Sequence, residues 1–346
     1  MKLVQTKDAV GHVLCHDITQ IIPGVKKGPV FKKGHVVREE DIPVLLSVGK
    51  ENLYVWEKRS GFLHEDEAAE VLRDICMGGP DSPTMNASQP SEGKIEISAK
   101  IFGLLKINSQ KLLAVNSLGQ MMVATIHSNT VVHKGDKLCG TRIIPLVIEE
   151  EKMKSAREAA GSEPLLKIVP FKHKKIALVT TGSEIKKGLI KDGFGPALQK
   201  KLLEFDVEIV GQVFPGDDLE EIKGAILLAA QNGADIVLCS GGMSVDPDDR
   251  TPGAIKAAGA QIVSYGAPVL PGAMFLLSYL QCGERNVPVL GLPGCVMYAG
   301  RTIFDLVFPR VLAEEKLCAA DLAQYGEGGL CLSCERCVYP NCSFGK

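Results

Sequence analysis

Long hydrophobic runs are absent from this sequence of 346 residues. No apolar stretch approaches the roughly 20 residues that a helix needs to cross a bilayer. The first residues, MKLVQTKDAVGHVL, do not combine a basic segment with a long apolar one, as a secretory signal does. The formal net charge is only −2, which argues against a general nucleic-acid-binding protein. We therefore expect a cytoplasmic protein that neither enters a membrane nor binds nucleic acid.

Internal repetition is missing as well. No period of about 20 to 50 residues is evident, which argues against a solenoid. What is present is the composition of an ordinary globular protein, with 45% hydrophobic and 23% charged residues. The length is sufficient for two or three domains, each of which buries its own core.

The second half of the chain alternates short apolar runs with segments of helical periodicity. In 217-DDLEEIKGAILLAAQNG-233 the apolar residues share one helical face, Asp217 or Asp218 supplies an N-cap, and Gly233 ends the helix. This alternation predicts an α/β fold with a doubly wound, mostly parallel sheet over residues 166–316, whose ligands bind beyond the carboxyl ends of the strands. The runs that we interpret as parallel strands are 175-KIALVT-180, 207-VEIVGQV-213, 235-DIVLCS-240, 261-QIVSY-265 and 287-VPVLGL-292.

The first part of the chain has a different pattern. Short β-like runs alternate with turn-forming residues, which predicts a β-rich accessory region with short helices over residues 1–165. The stretch 79-GPDSPTMNASQPSEG-93 contains several turn formers, and we expect it to be a mobile loop. The remaining segments are the β-like runs 28–37, 121–126 and 139–148 and the predicted helices 39–49, 65–78 and 149–161.

Three strand ends in the α/β part share one design, in which a buried strand turns through small residues into a helix. Glycines let the main chain approach a ligand, and exposed backbone N–H groups together with the helix dipole favour a phosphate or another anion. A single turn of this kind is more often structural, but three along one edge of a sheet indicate an anion site. The three turns are 180-TTGSE-184, 240-SGGMSVDPDD-249 and 291-GLPGC-295.

Acidic residues lie beside these turns. Carboxylates next to a phosphate cradle commonly hold a divalent metal, so Asp249 and an aspartate of 216-GDD-218 are candidate magnesium ligands. The alternative is that these aspartates simply cap helices. For Asp246 and Asp248 we expect solvated loop positions.

In chain order, TTGSE, GDD, SGGMSVDPDDRTP and LPG resemble the molybdopterin-binding domain that molybdopterin adenylyltransferases and molybdopterin molybdenumtransferases share. The resemblance spans about residues 174 to 314. It implies a pyranopterin ligand, molybdopterin or its adenylylated form, with magnesium and molybdate in the catalytic members. It also implies catalytic roles for Asp249 and Asp218, and cofactor-binding roles for Thr181, Gly182, Ser183, Glu184, Gly241, Gly242, Ser244, Pro293 and Gly294.

The sequence departs from this family at several positions. It has 192-DGF-194 where D-x-N is common, Ala273 where a lysine is frequent, and Cys295 where an asparagine is frequent. The acidic, aromatic N-terminal stretch of typical molybdenumtransferases has no match. These losses weaken the case for catalysis more than the case for binding, because an oriented charge or amide at the reacting centre contributes several kcal/mol.

Cys295 has two interpretations. At the start of a helix its thiol pKa would be lowered, and the thiolate would be available to a metal or a dithiolene sulfur. The interpretation that we favour is a small side chain that packs under a tight turn.

The tail 331-CLSCERCVYPNCSFGK-346 contains Cys331, Cys334, Cys337 and Cys342 in the spacing C-x2-C-x2-C-x4-C. In a reducing compartment such crowding suggests metal rather than disulfides. The spacing is close to that of bacterial ferredoxins and favours a 4Fe–4S cluster, with a zinc ion as the alternative. We expect residues 317–346 to form a metal-binding tail that folds separately, because so short a segment has few apolar residues to bury.

Together these features predict a molybdopterin-binding protein of molybdenum cofactor biosynthesis or handling. One alternative is an active molybdenumtransferase that inserts molybdate into adenylylated molybdopterin with magnesium. Another is a redox- or metal-responsive sensor or carrier that serves molybdenum or tungsten enzymes. The expected partners are the pterin ligand, molybdoenzymes or other cofactor-biosynthesis proteins, and a second copy of the chain.

Overall fold

The chain divides into two compact units in a computed structural model that describes residues 2–22, 26–55 and 60–346. The division lies close to the predicted boundary at residue 165, but two short segments from the N-terminal half belong to the second unit. Over the described residues, no helix is both long enough and apolar enough to cross a membrane. Unit 1 contains Met1–Ile101, Ile107–Ile126 and His133–Ile168, and unit 2 contains Phe102–Lys106, His127–Val132 and Val169–Lys346.

The secondary structure of the described residues is as follows. The strands are β1 (Lys2–Gln5), β2 (Ile18–Ile22), β3 (Lys26–Phe31), β4 (Asn52–Val55), β5 (Phe62–His64), β6 (Met85–Ala87), β7 (Lys94–Ala99), β8 (Gly103–Ile107), β9 (Met121–Thr125), β10 (Thr130–Val132), β11 (Lys137–Ile143), β12 (Val147–Glu149), β13 (Leu166–Pro170), β14 (Lys174–Thr180), β15 (Val207–Val213), β16 (Ile236–Ser240), β17 (Gln261–Tyr265), β18 (Leu276–Cys282) and β19 (Arg285–Leu292). The α-helices are α1 (Ile42–Ser47), α2 (Glu65–Met77), α3 (Ser109–Ser117), α4 (Glu150–Ala160), α5 (Ser183–Lys186), α6 (Phe194–Leu202), α7 (Leu219–Gln231), α8 (Thr251–Ala257), α9 (Ile303–Leu312) and α10 (Ala319–Ala323). Short 3-10 helices cover Thr6–Asp8, Glu39–Asp41, Gly294–Met297 and Gln324–Gly326.

Unit 1 is built from small antiparallel sheets. Strand β1 pairs with β4, β2 with β3 and β5 with β12, and a four-stranded sheet has the order β6–β7–β11–β9. The three helices predicted in this region are confirmed as α1, α2 and α4. Helix α2 begins after His64, whose ring accepts the N–H of Asp66, and it ends at Gly78, which has a left-handed φ of 79°.

The stretch 79–93, predicted to be a mobile loop, is partly ordered in a sheet. Its residues Met85–Ala87 form β6, which pairs with β7. The Met85 side chain is buried, while Asn86 beside it is exposed. This alternation is typical of a half-buried strand, and three residues are too few for it to stand out among turn formers.

Unit 2 is organised around a six-stranded sheet with the order β15–β14–β16–β19–β18–β17. The first three pairings in this order are parallel and the last two are antiparallel. The prediction of an α/β fold with a mostly parallel sheet is therefore confirmed.

The strand predicted at 261–265 is present, and it runs in the same direction as the other predicted strands because two antiparallel pairings separate it from β19. It pairs antiparallel with β18, a strand that the sequence analysis missed. Strand β18 in turn pairs antiparallel with β19 across Gly283-Glu284, and Gly283 has a left-handed φ of 61°. A two-residue turn of this kind closes a β-hairpin, so the edge of the sheet is antiparallel.

Both faces of this sheet are covered, because alternate strand residues enter different cores. Ile176 and Leu178 face the core that contains α6 and α9. Ala177 and Val179 face the core that contains α7 and α8. Helices on both faces are what a doubly wound sheet requires.

Candidate functional site

Four loops leave the carboxyl ends of the parallel strands and lie along one edge of the sheet. The order of the strands reverses between β14 and β16, since the chain adds β15 on one side of β14 and β16 on the other. Open α/β sheets bind their ligands at such a reversal. We call these segments, with the residues that join them to the strands and helices, loop A (181–183), loop B (214–218), loop C (240–251) and loop D (293–302).

Loops A and C are bonded to each other at the reversal. The N–H of Thr181 donates to the carbonyl oxygen of Ser240 at 2.8 Å. The Thr181 and Thr251 hydroxyls lie 3.2 Å apart, and the Thr251 hydroxyl also donates to the Gly241 carbonyl at 2.8 Å. Both threonine side chains are buried. The structure thus brings together residues that the sequence places 70 positions apart.

The glycines of loop C are required by contacts within the protein. Gly241 and Gly242 have left-handed φ values of 85° and 56°. A Cβ at Gly241 would lie 2.5 Å from the backbone oxygen of Thr181, and one at Gly242 would lie 2.9 Å from the Thr251 hydroxyl. A side chain at either position would strain the loops before it reached a ligand, so the close approach of loops A and C explains both glycines.

Asp217 is the aspartate that reaches loop A. Its Oδ2 accepts the N–H of Ser183 at 2.8 Å. The Oδ1 of Asp218 instead accepts the N–H groups of Glu220 and Glu221, both at 3.0 Å, and so caps α7. The capping alternative therefore describes Asp218, whereas Asp217 ties loop B to loop A.

Asp249 is half-buried in loop C. Its Oδ2 accepts the N–H of Asp246 at 3.2 Å, and the Asp249 N–H donates to the Asp246 carbonyl at 2.9 Å. It does not cap α8, which begins at Thr251 after Arg250. The capping alternative for Asp249 is therefore wrong, and its second carboxylate oxygen has no role in that turn.

The other predicted cofactor-binding residues differ in how exposed they are. Gly182 is buried, with φ 137°, and a Cβ there would lie 3.3 Å from the Glu184 carboxylate. Glu184 and Ser244 are exposed. In loop D, Pro293 is buried while Gly294 is exposed and has open space where a side chain would lie. Ser244, Glu184 and Gly294 are therefore the exposed members of the predicted cofactor-binding set, and Asp218 is exposed as well.

Asp192 and Gln212 support this edge and were not among the predicted site residues. The Asp192 carboxylate accepts the N–H groups of Phe194 and Gly195 at 2.8 and 3.0 Å, at the start of α6. The Gln212 amide donates to Asp192 at 2.7 Å and to the Thr180 hydroxyl at 3.0 Å. The signal was the aspartate of 192-DGF-194, which we considered only for the missing asparagine.

Tyr265 is a second residue that the sequence analysis missed. Its hydroxyl donates to the carbonyl oxygens of Met243 and Ser244, at 2.8 and 3.3 Å. Burial, with a smaller effect of the Asp249 charge, raises the pKa of this hydroxyl. Tyr265 therefore fixes the start of loop C from the edge strand.

Cys295 lies in the 3-10 helix of loop D and is half-buried. Burial raises the pKa of its thiol. A reactive thiolate would need a lowered pKa, so the packing interpretation of Cys295 is the better one.

The tail packs against unit 2 instead of folding separately. Phe344 is only 3% exposed and joins the core that contains α9. The Leu270 N–H donates to the Gly329 carbonyl and the Cys331 N–H donates to the Leu270 carbonyl, both at 2.8 Å. The expectation of a separate tail fails because one aromatic side chain and a short β-bridge fix it to the core.

All four tail cysteines line one cavity of about 570 Å³. The opposite wall is formed by Leu270, Pro271 and the end of loop D from Tyr298 to Arg301. None of the four thiols is in a disulfide. The cysteine cavity therefore adjoins the last of the four loops.

One cluster of potential metal ligands in unit 1 is already satisfied. Within the described ranges, His64, Glu65 and Asp66 are the group of three donors whose atoms lie within 4.8 Å of one another. The ammonium of Lys33 contacts His64 Nδ1 at 2.9 Å and the Asp66 carboxylate at 2.5 Å. Because this cation occupies the space between the donors, the cluster does not qualify as a metal site.

Two family models match the chain. Residues 3–57 match a domain of unknown function (DUF8806), and residues 177–313 match the family described as "Probable molybdopterin binding domain". The second match contains loops A, B, C and D, so this part of the chain is similar to the molybdopterin-binding family.

Curated relatives match a shorter stretch of the chain. A "CinA-like protein" of Mycobacterium avium is 32% identical over 77 residues, which are 22% of this chain and 18% of that protein. A "CinA-like protein" of Mycolicibacterium gilvum is 34% identical over the same length. The chain thus spans about a fifth of the length of the curated relatives that it matches.

Solved structures match the chain at low sequence identity. The "tungsten cofactor synthesizing protein MoaB" of Pyrococcus furiosus is 23% identical, with a TM-score of 0.34, over 40% of this chain and 92% of that one. A "Molybdenum cofactor biosynthesis protein" of Pyrococcus furiosus is 13% identical, with a TM-score of 0.24, over 91% of this chain and 63% of that one.

Proposed function

We propose that the α/β domain binds molybdopterin or its adenylylated form across loops A, C and D, and that the protein acts in molybdenum cofactor biosynthesis or handling. One observation carries the proposal. Loops A and C are bonded together at the strand reversal of a sheet whose residues 177–313 match the molybdopterin-binding family.

The chemistry of loop C suits the phosphate of such a ligand. Two consecutive glycines in left-handed conformations leave the main chain uncovered by side chains. Backbone groups then approach an anion closely, at the edge where helices α5 and α8 begin. Ser183, which is half-buried, adjoins this surface and is supported by the buried Thr181 and Gly182, while the exposed Gly294 forms the far wall next to the buried Pro293.

Asp249 is the residue that we assign to magnesium in this complex. One carboxylate oxygen holds the turn of loop C, and the other is available to a cation that bridges to phosphate. Asp218 contributes only through the oxygen that is not used in capping α7. Asp217 positions loop A.

Binding is better supported than turnover. Ala273 and Cys295 replace a charge and an amide that are frequent in the related molybdenumtransferases, and burial raises the pKa of Cys295. The alternative of an active molybdenumtransferase requires this site to insert molybdate without those two groups. A sensor or carrier that serves molybdenum or tungsten enzymes is favoured by one feature, the cysteine cavity beside loop D.

The test is a binding measurement with adenylylated molybdopterin, magnesium and the full-length protein, followed by addition of molybdate. We expect tight binding without release of AMP. Release of AMP after molybdate addition would select the molybdenumtransferase alternative. No binding to either form of the pterin would refute the proposed function.

Asp249→Asn tests the assigned magnesium ligand. Asparagine keeps an acceptor for the Asp246 N–H but removes the charge, so magnesium-dependent binding should weaken by about tenfold or more. The unfolding temperature should change little. Asp248→Asn, at an exposed neighbouring position, is the matched control. Equal effects of the two variants would mean that Asp249 acts only through net charge.

A further inference from the structure

We propose that Cys331, Cys334, Cys337 and Cys342 bind an iron–sulfur cluster in the cavity between the tail and loop D. All four side chains line this one cavity of about 570 Å³. The proposal does not depend on pterin binding, because the four cysteines lie outside loops A, B and C.

The donor set of the cavity consists of sulfur. Arg301 is the one charged residue among its lining residues, and no histidine, aspartate or glutamate lines it. Thiolates without carboxylate or imidazole neighbours select iron–sulfur clusters, zinc or copper(I) over harder ions. Binding converts each thiol to a thiolate and releases its proton to solvent.

The tail is held in place at its base, and the cysteine side chains project from this fixed loop. The Gly345 N–H donates to the Gly328 carbonyl at 2.9 Å, which closes the segment 329–344 into a loop. Phe344 anchors one end in the core, and the β-bridge of Leu330 with Leu270 anchors the other. Cys331 and Cys342, near the two anchors, pack against the core, whereas the Cys334 and Cys337 side chains are exposed.

The walls of the cavity suit an anionic, weakly hydrated group. Leu330, Tyr339 and Phe344 line it and exclude water from one side. The Arg301 guanidinium lies 4.9 Å from the centre of the Tyr339 ring and lines the same space. Low polarity and a nearby cation are among the features by which proteins stabilise such clusters.

The spacing of the thiols fits a cluster better than a single ion. One tetrahedral zinc with Zn–S bonds of about 2.3 Å places its sulfurs about 3.8 Å apart. A cluster, whose iron atoms lie between the thiolates, spans wider separations, and the C-x2-C-x2-C spacing of the tail is close to that of cluster-binding proteins.

The experiment uses the full-length chain, purified without oxygen and incubated with ferric iron, sulfide and a thiol reductant, which converts part of the iron to the ferrous state. We expect about four iron and four sulfide per chain and a broad visible absorption that bleaches on reduction. Cys337→Ala and, separately, Cys334→Ser should each lose most of the bound iron and the absorption. Both positions are exposed, so the variants should keep the circular dichroism of the parent.

Cys318→Ala is the matched control. Cys318 is an exposed, unpaired cysteine close in sequence but absent from the lining of the cavity, and its removal should leave the iron content unchanged. About one zinc per chain in place of iron, an equal loss of iron in Cys318→Ala, or iron that survives in both tail variants would each overturn the proposal. These readouts count metal, so they remain valid whether or not the protein binds a pterin.

Discussion

The two candidate sites lie on the same edge of one sheet, but they are held in place in opposite ways. Loops A and C are bonded directly to each other through Thr181, Ser240, Gly241 and Thr251. The cysteine cavity is fixed only at the base of its loop, by Phe344 and the bridge at Leu270, while its thiols have no bonds among themselves. The site at loops A and C is therefore preorganised by hydrogen bonds within the protein. The cysteine cavity, in contrast, is completed only when its ligand binds.

This difference determines how each site should respond to mutation. A change at the glycines of loop C alters contacts between loops of the same chain, so it should affect both the stability of the protein and its ligand binding. A change at an exposed cysteine should affect the ligand alone. Four experiments test the contrast, and they are given in order of decreasing effect.

Phe344→Ala should produce the largest effect. Removal of a buried phenylalanine costs about 3 to 5 kcal/mol of unfolding free energy, because it loses the burial and leaves a cavity. Denaturant unfolding followed by circular dichroism measures the cost. Val338→Ala, at a side chain that is 48% exposed, is the control and should change stability by less than about 0.5 kcal/mol. A negligible cost of Phe344→Ala would restore the expectation of a separate tail.

Gly241→Ala should come next, with a cost of about 2 to 3 kcal/mol. The added Cβ would lie 2.5 Å from the Thr181 oxygen, in a backbone conformation that alanine disfavours. Gly294→Ala is a matched control in loop D, because open space surrounds that position. If the two alanine variants unfold at the same temperature, the close contact of loops A and C is misplaced.

Thr251→Val should cost about 1 to 2 kcal/mol, since it keeps the shape of the side chain but removes the buried hydroxyl bonded to Gly241. Pterin affinity should fall with it, because loops A and C lose a shared bond. Ser244→Ala, at an exposed hydroxyl of the same loop, should leave stability unchanged. Reduced stability with unaltered affinity would show that the bond is not needed for the site.

Alkylation of the thiols should show the smallest, purely kinetic difference. Burial raises the pKa of Cys295, so less of it is thiolate at neutral pH and it should react more slowly than the exposed Cys334 and Cys337. Its rate should increase as the pH rises toward the raised pKa. Peptide mass spectrometry after timed iodoacetamide treatment measures this. Faster reaction at Cys295 than at Cys334 and Cys337 would show that Cys295 is a reactive thiol.

The α/β domain was predictable because its central parallel strands β14 and β16 are largely buried on both faces and appear as continuous apolar runs. The glycine loops follow those runs directly, so their common edge was predictable as well. Helix α7 was predicted with its cap left open between Asp217 and Asp218. In the structure the Asp218 carboxylate caps the helix and the Asp217 carboxylate binds the Ser183 N–H. Two adjacent aspartates look alike in the sequence, so the pattern does not show which of them is the cap.

Other features depend on contacts between distant segments. The pairing of Tyr265 with loop C and of Gln212 with Asp192 joins residues more than 19 positions apart, and nothing local marks them. The antiparallel edge was missed because the hairpin turn Gly283-Glu284 was not recognised. Burial of Phe344 could not be inferred, since the two aromatic residues of the segment 331–346, Tyr339 and Phe344, show no helical or strand periodicity.

The two faces of the sheet differ in the size of the side chains that they bury. The face toward α7 and α8 is rich in alanine, including Ala177, Ala230 and Ala254, while the face toward α6 and α9 contains several phenylalanines. A one-residue slip of β14 would push Ile176 and Leu178 into the alanine-lined layer, where the helices leave no room for them. Both layers are apolar, so hydrophobicity alone would tolerate the slip. Side-chain volume therefore favours the observed register of β14. The register in turn determines where Thr181 lies relative to Ser240 at the end of the neighbouring strand.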